Sequence, residues 1–384
     1  MLITRIPGDP SKPIPTPVIA MAGGVEKRDS DSYWIPRNEL IAIFLEEIEE
    51  RNKRNVTDQG RIHIVMGSDV TQVRIIDSQQ NANNIDVNNE NRHSLVEVTS
   101  NVFDGEKENT YEAKIVIGAD GFNSNVRSRL SQIDGGKFGV KRYKSPAAGL
   151  RYKVLQMPYG MNVPNITGTV PLTMRGDSLY SFLSVNKGAK NEIRMGCLPL
   201  KDPKSPRSTN IITKPNHAIW DITDGEEMRK WFQKSFPRMS FQHESEGGII
   251  SSAEWSRFAS AKGGAFPSPG VSLNMQLSSN DETCGVALVG DAVHVFPPDL
   301  GQGVNSALQD VLVLNQTIIR NGSSQDKSTK LTLGLALKQY ERDRLPEAKA
   351  LVKLNSHVGP YQYKQTGLVD TTKAKLKVLN ILFK

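Results

Sequence analysis

The sequence predicts a mixed α/β protein, and three patterns in the 384-residue chain support this fold class. Two β-branched runs each end at a glycine-containing turn with an aspartate, one near residue 120 and one near residue 291. The stretch between them holds several short β-like runs, which are typical of an antiparallel sheet. Helical periodicity follows the second turn and returns near the C-terminus. We therefore expect a Rossmann-like domain, interrupted by an antiparallel β-sheet domain and followed by a helical region.

The composition excludes several classes of protein. Hydrophobic residues make up 38% of the chain and charged residues 23%, and no apolar run reaches the roughly 18 residues of a membrane span. Cys197 and Cys284 stand in neither a CxxC nor a Cys/His spacing, so we predict no disulfide framework and an intracellular protein. His294 has no second ligand at metal-binding spacing, so we interpret it as structural and predict no metal site.

The formal net charge is +7, and the excess of basic residues lies between Lys330 and Lys384. A solvated helix surface is the favoured interpretation, and a peripheral contact of the basic C-terminal tail with an anionic membrane is the second. No aromatic residues are interleaved with these charges as single-strand binding would require, so we predict no nucleic-acid partner.

The pattern before residue 120 predicts loops, one helix and several strands. Residues 1–32 are rich in Pro, Gly and Ser and are interpreted as a loop. Residues 38–51 show helical periodicity with one apolar stripe that we expect to be buried. Strands are predicted at 62–66, 70–76 and 111–117.

The pattern after residue 145 predicts short antiparallel strands, with one helix near 226–236. A buried strand at 286–289 then leads into a loop and a long helix. Five apolar residues share one face of that helix: Val304, Leu308, Val311, Leu312 and Ile318.

The first turn that carries chemistry lies in IVIGADGFNSNVR, residues 115–127. A strand runs into Gly-Ala-Asp-Gly and then into a helix with Asn123 or Ser124 as its N-cap. Backbone N–H groups and the Asp120 carboxylate would meet at the carboxyl end of the strand, where open α/β sheets bind nucleotides. On spacing alone, an ordinary turn is an equally good interpretation.

The second turn lies in VALVGDAVHVFPPDLGQGVN, residues 286–305. Asp291 ends the predicted strand, and Gly301 and Gly303 would let the backbone approach a flat ligand closely. The helix near Val304 would point its positive end at that ligand, which suits the negative charge of a reduced flavin.

Together, GADGFNSNVR and GDAVHVFPPDLGQGVN resemble the two C-terminal FAD fingerprints of the flavoprotein aromatic hydroxylases, the single-component FAD monooxygenases. Within that family, Tyr33–Leu40 and Tyr340–Ala348 are most similar to the kynurenine 3-monooxygenases. The resemblance implies hydroxylation of a small aromatic substrate with NADPH and O2, through a flavin C4a-hydroperoxide. It also implies a place in the kynurenine pathway, in the cytoplasm or peripherally on the mitochondrial outer membrane.

The resemblance also assigns roles to single residues. Asp291 would bind the ribityl chain of FAD, and the Gly301–Asn305 turn would lie against the isoalloxazine ring. Asp120 and Arg127 would support the FAD pyrophosphate and the encounter with NADPH. The implied catalytic residues are Arg37, Asn305 and Pro298, and the implied substrate-binding residues are Arg37, Tyr361 and Tyr363. The implied cofactor-binding residues are Asp120, Gly121, Arg127, Gly290, Asp291, Pro298, Gly301, Gln302, Gly303, Val304 and Asn305.

The chain departs from the family pattern at its N-terminal end. Before Arg37 the family carries a βαβ unit with GxGxxG, and no counterpart is found here. We therefore predict an N-terminally incomplete FAD-binding domain at 1–145, a β-rich substrate domain at 146–280, the second FAD motif and its helix at 281–322, and a helical region at 323–384. Two alternatives stay open: a non-catalytic relic of the fold with weak or no FAD binding, and another flavoenzyme of the same superfamily.

Overall fold

The computed structural model describes residues 2–16, 18–19, 35–55, 60–77, 94–102, 108–164, 171–186, 192–202, 204–298, 301–322 and 332–357. The chain divides into two compact units. Unit 1 combines Met1–His63 with Gly149–Ala265, and unit 2 combines Ile64–Ala148 with Phe266–Lys384. Both units are therefore built from two separate stretches of sequence.

Within the described residues the α-helices are α1 (Arg37–Arg54), α2 (Asn125–Ile133), α3 (Gly225–Ser235), α4 (Ser252–Ser260), α5 (Gly303–Gly322) and α6 (Leu333–His357). The strands of the same residues are β1 (Leu2–Ile6), β2 (Val18–Ile19), β3 (Ser68–Ile76), β4 (Leu95–Val102), β5 (Glu108–Ala113), β6 (Ile115–Gly118), β7 (Val140–Arg142), β8 (Arg151–Met157), β9 (Asn162–Val163), β10 (Leu172–Thr173), β11 (Ser178–Leu183), β12 (Arg194–Cys197), β13 (Arg207–Thr213), β14 (Gly264–Ala265), β15 (Gly270–Ser272), β16 (Gln276–Ser278), β17 (Gly285–Leu288) and β18 (His294–Val295). In the described part of the chain, no helix is both long enough and apolar enough to cross a membrane.

Unit 1 is organised around one seven-stranded sheet in the order β14-β8-β13-β12-β11-β1-β2. Its strands pair antiparallel except for β1, which runs parallel to β11. Buried and half-buried residues alternate along β8 and β13, as expected of a sheet with one face on a core. Helices α3 and α4 contribute Phe232, Trp255 and Phe258 to that core, and β11 and the connecting segments contribute its other aromatic side chains.

Unit 2 contains three three-stranded sheets among its described residues, in the orders β3-β4-β5, β16-β17-β6 and β18-β15-β7. Strand β17 is buried along its whole length. It pairs antiparallel with β16 and parallel with β6. Helix α6 packs against β16 and β17, and α5 packs against α6. The apolar core of unit 2 is thus centred on the strand that precedes the second turn.

The mixed α/β fold class is confirmed, and so are the helix at 226–236 and the strand at 70–76. The strand predicted at 62–66 is wrong, because the backbone there pairs with no other strand of the described residues. The loop predicted for residues 1–32 is wrong at Leu2–Ile6 and Val18–Ile19, which form β1 and β2. The buried stripe predicted for α1 is also wrong, since none of its side chains is buried. The four predicted domain ranges stay a prediction beside the two observed units.

Candidate flavin site

The two turns singled out in the sequence lie at the same edge of one sheet in unit 2. Strands β6 and β17 are neighbours and parallel, with Gly118 opposite Leu288. The backbone N–H of Val289 donates to the carbonyl of Gly118 at 3.0 Å, just where both strands end. Asp120 and Asp291 follow these two ends, so both aspartates belong to the carboxyl edge where open α/β sheets bind ligands.

The first turn is shaped by its own polar side chains. Gly121 has a φ of 79°, a conformation that other residues rarely adopt. The Asp120 carboxylate accepts a hydrogen bond from the Val126 N–H at 3.0 Å, and the Ser124 hydroxyl accepts one from the Arg127 N–H at 2.9 Å. Asp120 and Ser124 together cap α2, so Ser124 is the N-cap.

Arg127 joins the first turn to the second. Its Nη2 donates to the Phe122 carbonyl at 2.8 Å, and its Nη1 donates to the Ala292 carbonyl at 2.6 Å. The side chain is buried, and burial lowers its pKa although the nearby Asp120 carboxylate acts in the opposite direction. This geometry makes Arg127 a brace between the two turns. Its contact with pyrophosphate or NADPH stays a prediction.

The second turn combines a constrained glycine with an exposed carboxylate. Gly290 has a φ of 60°, and a Cβ added there would lie 3.2 Å from the Ala307 Cβ of α5. Its N–H donates to the buried Asp310 carboxylate at 2.8 Å. Asp291, the next residue, is exposed at the end of the fully buried strand β17. The fold thus presents one acidic side chain at a fixed backbone position.

Open space surrounds the start of α5. Among the described residues, a Cβ built on Gly301 or Gly303 would meet no atom beyond its chain neighbours within 4 Å, and Gly301 has a φ of 61°. The Gly301 N–H donates to the Pro298 carbonyl at 3.0 Å, which turns the loop back towards the helix. Asn305 is exposed in the first turn of α5, where unpaired N–H groups and the helix dipole favour negative charge.

A buried polar network, which the sequence patterns do not predict, lies under the second turn. The Asp310 carboxylate is fully buried and lies 2.7 Å from His294 Nε2. On its other oxygen, Asp310 accepts hydrogen bonds from Arg344 Nε at 2.9 Å and Nη2 at 2.7 Å. His294 therefore has a structural partner, and across the described residues no group of His, Cys, Asp and Glu side chains could hold a metal.

The predicted site residues fall into three groups. The predicted cofactor-binding residues all lie in unit 2, at the two turns and the start of α5. Arg37 is exposed at the first position of α1 in unit 1, and its contact with flavin or substrate stays a prediction. Tyr361 and Tyr363 lie outside the described residues.

The residues present fit the ribityl and isoalloxazine parts of FAD. The open glycines at Gly301 and Gly303 leave room for a flat ring against the backbone. The exposed Asp291 carboxylate could accept hydrogen bonds from ribityl hydroxyls. The N–H groups at the start of α5 could donate to a negatively charged ring edge.

A substitution at Gly118 tests the close packing that brings the two turns together. A Cβ there would lie 2.7 Å from Leu288 Cδ2 and 2.9 Å from Val126 Cγ1. We expect Gly118→Ala to lower the free energy of unfolding by about 1–3 kcal/mol, because overpacking forces β17 or α2 to move. Urea denaturation followed by far-UV circular dichroism measures the change. The control is Gly196→Ala in β12, where the nearest atom lies 4.0 Å away; equal effects at both glycines would contradict the prediction.

Comparison with known proteins finds this chain similar to FAD-dependent monooxygenases. Residues 276–355 match the FAD binding domain family. Violacein synthase of Chromobacterium violaceum is 28% identical over 221 residues, which are 56% of this chain and 44% of that protein. Kynurenine 3-monooxygenase of Flavobacterium johnsoniae is 23% identical over 265 residues, which are 68% of this chain and 50% of that protein. The chain spans about half the length of these curated relatives.

A solved structure shows the same fold. PqsL, a probable FAD-dependent monooxygenase from Pseudomonas aeruginosa, aligns with a TM-score of 0.51 at 16% sequence identity. The alignment covers 100% of this chain and 81% of PqsL. The resemblance to FAD-dependent monooxygenases stated from the motifs is confirmed, and the mixed α/β architecture is that of this class.

Proposed function

We propose that this chain carries the flavin-binding part of an FAD-dependent monooxygenase that hydroxylates a small aromatic substrate with NADPH and O2. The observation that supports this most strongly is the pair of aspartate-bearing turns at the ends of the parallel strands β6 and β17. One of these turns, at Gly290–Ala292, lies within the residues that match the FAD binding domain family.

FAD, when bound, supplies the redox chemistry that activates oxygen. Asp291 binds the ribityl hydroxyls through its exposed carboxylate, and the Gly301–Gly303 backbone lies against the ring. The first N–H groups of α5 stabilise negative charge on the ring edge. Asn305 and Pro298, both exposed beside this backbone, line the pocket that places the substrate and keeps water away.

The kynurenine-type substrate is the finer part of the proposal. Arg37 offers a planar guanidinium that can bind a carboxylate with two hydrogen bonds. Tyr361 and Tyr363 are proposed as additional contacts to the same carboxylate. The cell compartment is likewise proposed as intracellular, either cytoplasmic or peripheral on the mitochondrial outer membrane through the basic tail.

Replacing Asp291 with alanine tests the flavin assignment. We expect the dissociation constant for FAD to rise by about 10- to 100-fold, because a hydrogen bond to a charged group contributes about 1.5–3 kcal/mol. Titration of the apoprotein with FAD, followed by flavin fluorescence, measures the change. Asp69→Ala, an exposed aspartate on β3 of the same unit, serves as the control and should leave the affinity unchanged.

The same preparation separates the alternatives. NADPH oxidation that a small aromatic carboxylate stimulates supports the hydroxylase. FAD binding without such stimulation indicates another flavoenzyme, and a chain that binds no FAD at all would be the non-catalytic relic and would contradict the proposal.

A further inference from the structure

Helix α6 forms hydrogen-bonded contacts near both ends of the second turn, although none of its residues belongs to that turn. Its sequence includes YERDRLPEA, a motif singled out above to which no role was assigned. Three of its side chains are directed at the strands and loop around the turn: Tyr340, Arg344 and Asn355. All three are at least nine-tenths buried.

The N-terminal end of the turn is held through Asp310. One oxygen of this carboxylate accepts hydrogen bonds from Gly290 N–H and His294 Nε2, at 2.8 and 2.7 Å. The other oxygen accepts two from Arg344. Arg344 Nη2 also lies 3.4 Å from both the carbonyl and the hydroxyl of Ser306, in the first turns of α5.

The hydrogen bonds of Asp310 to the second turn depend on the positive charge of Arg344. Asp310 is fully buried, and a buried carboxylate is costly unless a group of opposite charge lies beside it, as the Arg344 guanidinium does at 2.7 Å. The same carboxylate accepts from the Gly290 N–H and the His294 ring. The conformation of Gly290, with its φ of 60°, is therefore coupled to the guanidinium on α6.

The strand before the turn and the loop after it are held by hydrogen bonds from α6 to backbone carbonyls. The Tyr340 hydroxyl donates to the Leu288 carbonyl at 2.8 Å, and burial raises the pKa of this hydroxyl so that it remains a donor. The Asn355 amide donates to the Pro297 carbonyl at 3.1 Å. The segment from Leu288 to Pro297 is thus fixed near both of its ends by one helix.

We propose that α6 is a positioning element for the flavin: Arg344, acting through Asp310, together with Asn355 holds the Gly290–Pro298 segment in the conformation that aims the Asp291 carboxylate at the ribityl chain. The inference rests on the proposed function, since it concerns the same site. Arg344 and Asn355 are positioning residues, since both are buried and act through Asp310 and the Pro297 carbonyl.

The first test replaces Arg344 with lysine, which keeps the charge but cannot supply the same set of guanidinium hydrogen bonds. Hydrogen exchange of the apoprotein reports on the Gly290 amide, which we expect to exchange about tenfold faster or more. The control is Lys338→Arg on the same helix, where the native lysine forms an exposed ion pair with Glu282; it should leave this exchange unchanged.

The second test measures the cofactor. For Arg344→Lys we expect the dissociation constant for FAD to rise about tenfold, and we expect the absorption band and midpoint potential of the bound flavin to shift. A purely structural role would lower thermal stability without moving the spectrum or potential of the FAD that still binds. Asn355→Leu, which keeps the branching at Cγ but has no polar atoms, removes the bond to Pro297 and should weaken FAD binding about fivefold. It decides the question if Arg344→Lys does not fold.

The outcomes separate the two proposals. If the parent chain binds no FAD, the proposed function fails, and hydrogen exchange at Gly290 still decides whether α6 fixes the turn. The positioning role is overturned if the parent binds FAD and both variants, Arg344→Lys and Asn355→Leu, fold and behave like the parent. In that case the FAD affinity and the exchange rate of the Gly290 amide stay within about twofold, and the flavin spectrum does not change.

Discussion

Asp310→Ala should lower the free energy of unfolding of unit 2 by about 3–5 kcal/mol. The substitution leaves the Arg344 guanidinium, only 4% exposed, without its buried counter-charge. It also removes the acceptor of the Gly290 N–H and the partner of His294. A buried charge that has lost its partner costs more than the intact pair contributes, so the effect should exceed that of any exposed ion pair in the unit.

The positions of the tryptophans allow the stability of the two units to be followed separately. All four tryptophans, Trp34, Trp220, Trp231 and Trp255, lie in the ranges of unit 1. Hydrogen exchange of unit 2 peptides should therefore show the loss of stability, while tryptophan fluorescence follows unit 1 in the same sample. Asp343→Ala, an exposed position on α6, is the control and should stay within about 0.5 kcal/mol. A similar small value for Asp310→Ala would show that the network contributes little.

Phe232→Ala should lower the free energy of unfolding of unit 1 by about 3–5 kcal/mol. Phe232 is fully buried on α3, and five aromatic rings lie around it at centroid distances of 5.1–5.7 Å: Trp231, Phe236, Phe241, Trp255 and Phe258. Truncation removes a whole ring from this cluster and leaves a cavity that rigid neighbours cannot fill.

Denaturation of this variant can be followed by tryptophan fluorescence, because Trp255 is one of the contacting rings. The matched control is Phe44→Ala on α1, where the phenylalanine is 52% exposed. We expect the control to change stability by less than about 0.5 kcal/mol. Comparable losses for the two variants would mean that the cluster does not form the core of unit 1.

The sequence predicts the two turns because each is encoded locally. A β-branched run, a glycine and an aspartate follow one another within a few residues, and Ser124 supplies a cap at the expected place. The parallel strand pair also follows from the motifs, since both turns must lie at one edge of a sheet if they serve the same ligand. These features require no knowledge of distant contacts.

The network under the second turn could not be predicted in the same way. Hydrophobic periodicity places Val304, Leu308 and Val311 on one face of α5, yet each of them is at least 51% exposed. The buried face instead carries Ser306 and Asp310, whose partners come from a different helix. Periodicity describes only which residues share a face, and the burial of a polar face depends on a counter-charge that is remote in sequence.

Strand β1 was missed for a related reason. Its five residues, Leu2–Ile6, are too few to show a period, and its partner strand β11 begins at Ser178. Local propensity therefore carries almost no information about this pairing.

The position of β1 between β2 and β11 also affects how the protein folds during synthesis and where it can be truncated. During synthesis β1 cannot pair with β11 until residues 178–182 have left the ribosome. Unit 1 should therefore fold late and slowly, because its folding rate depends on closing a loop between residues that are far apart in sequence. In a fragment that starts at Gly149, β11 would become an exposed edge strand. Copies of the fragment could then pair along this edge and aggregate. Expression trials should therefore retain the first few residues or tether a synthetic peptide of that sequence.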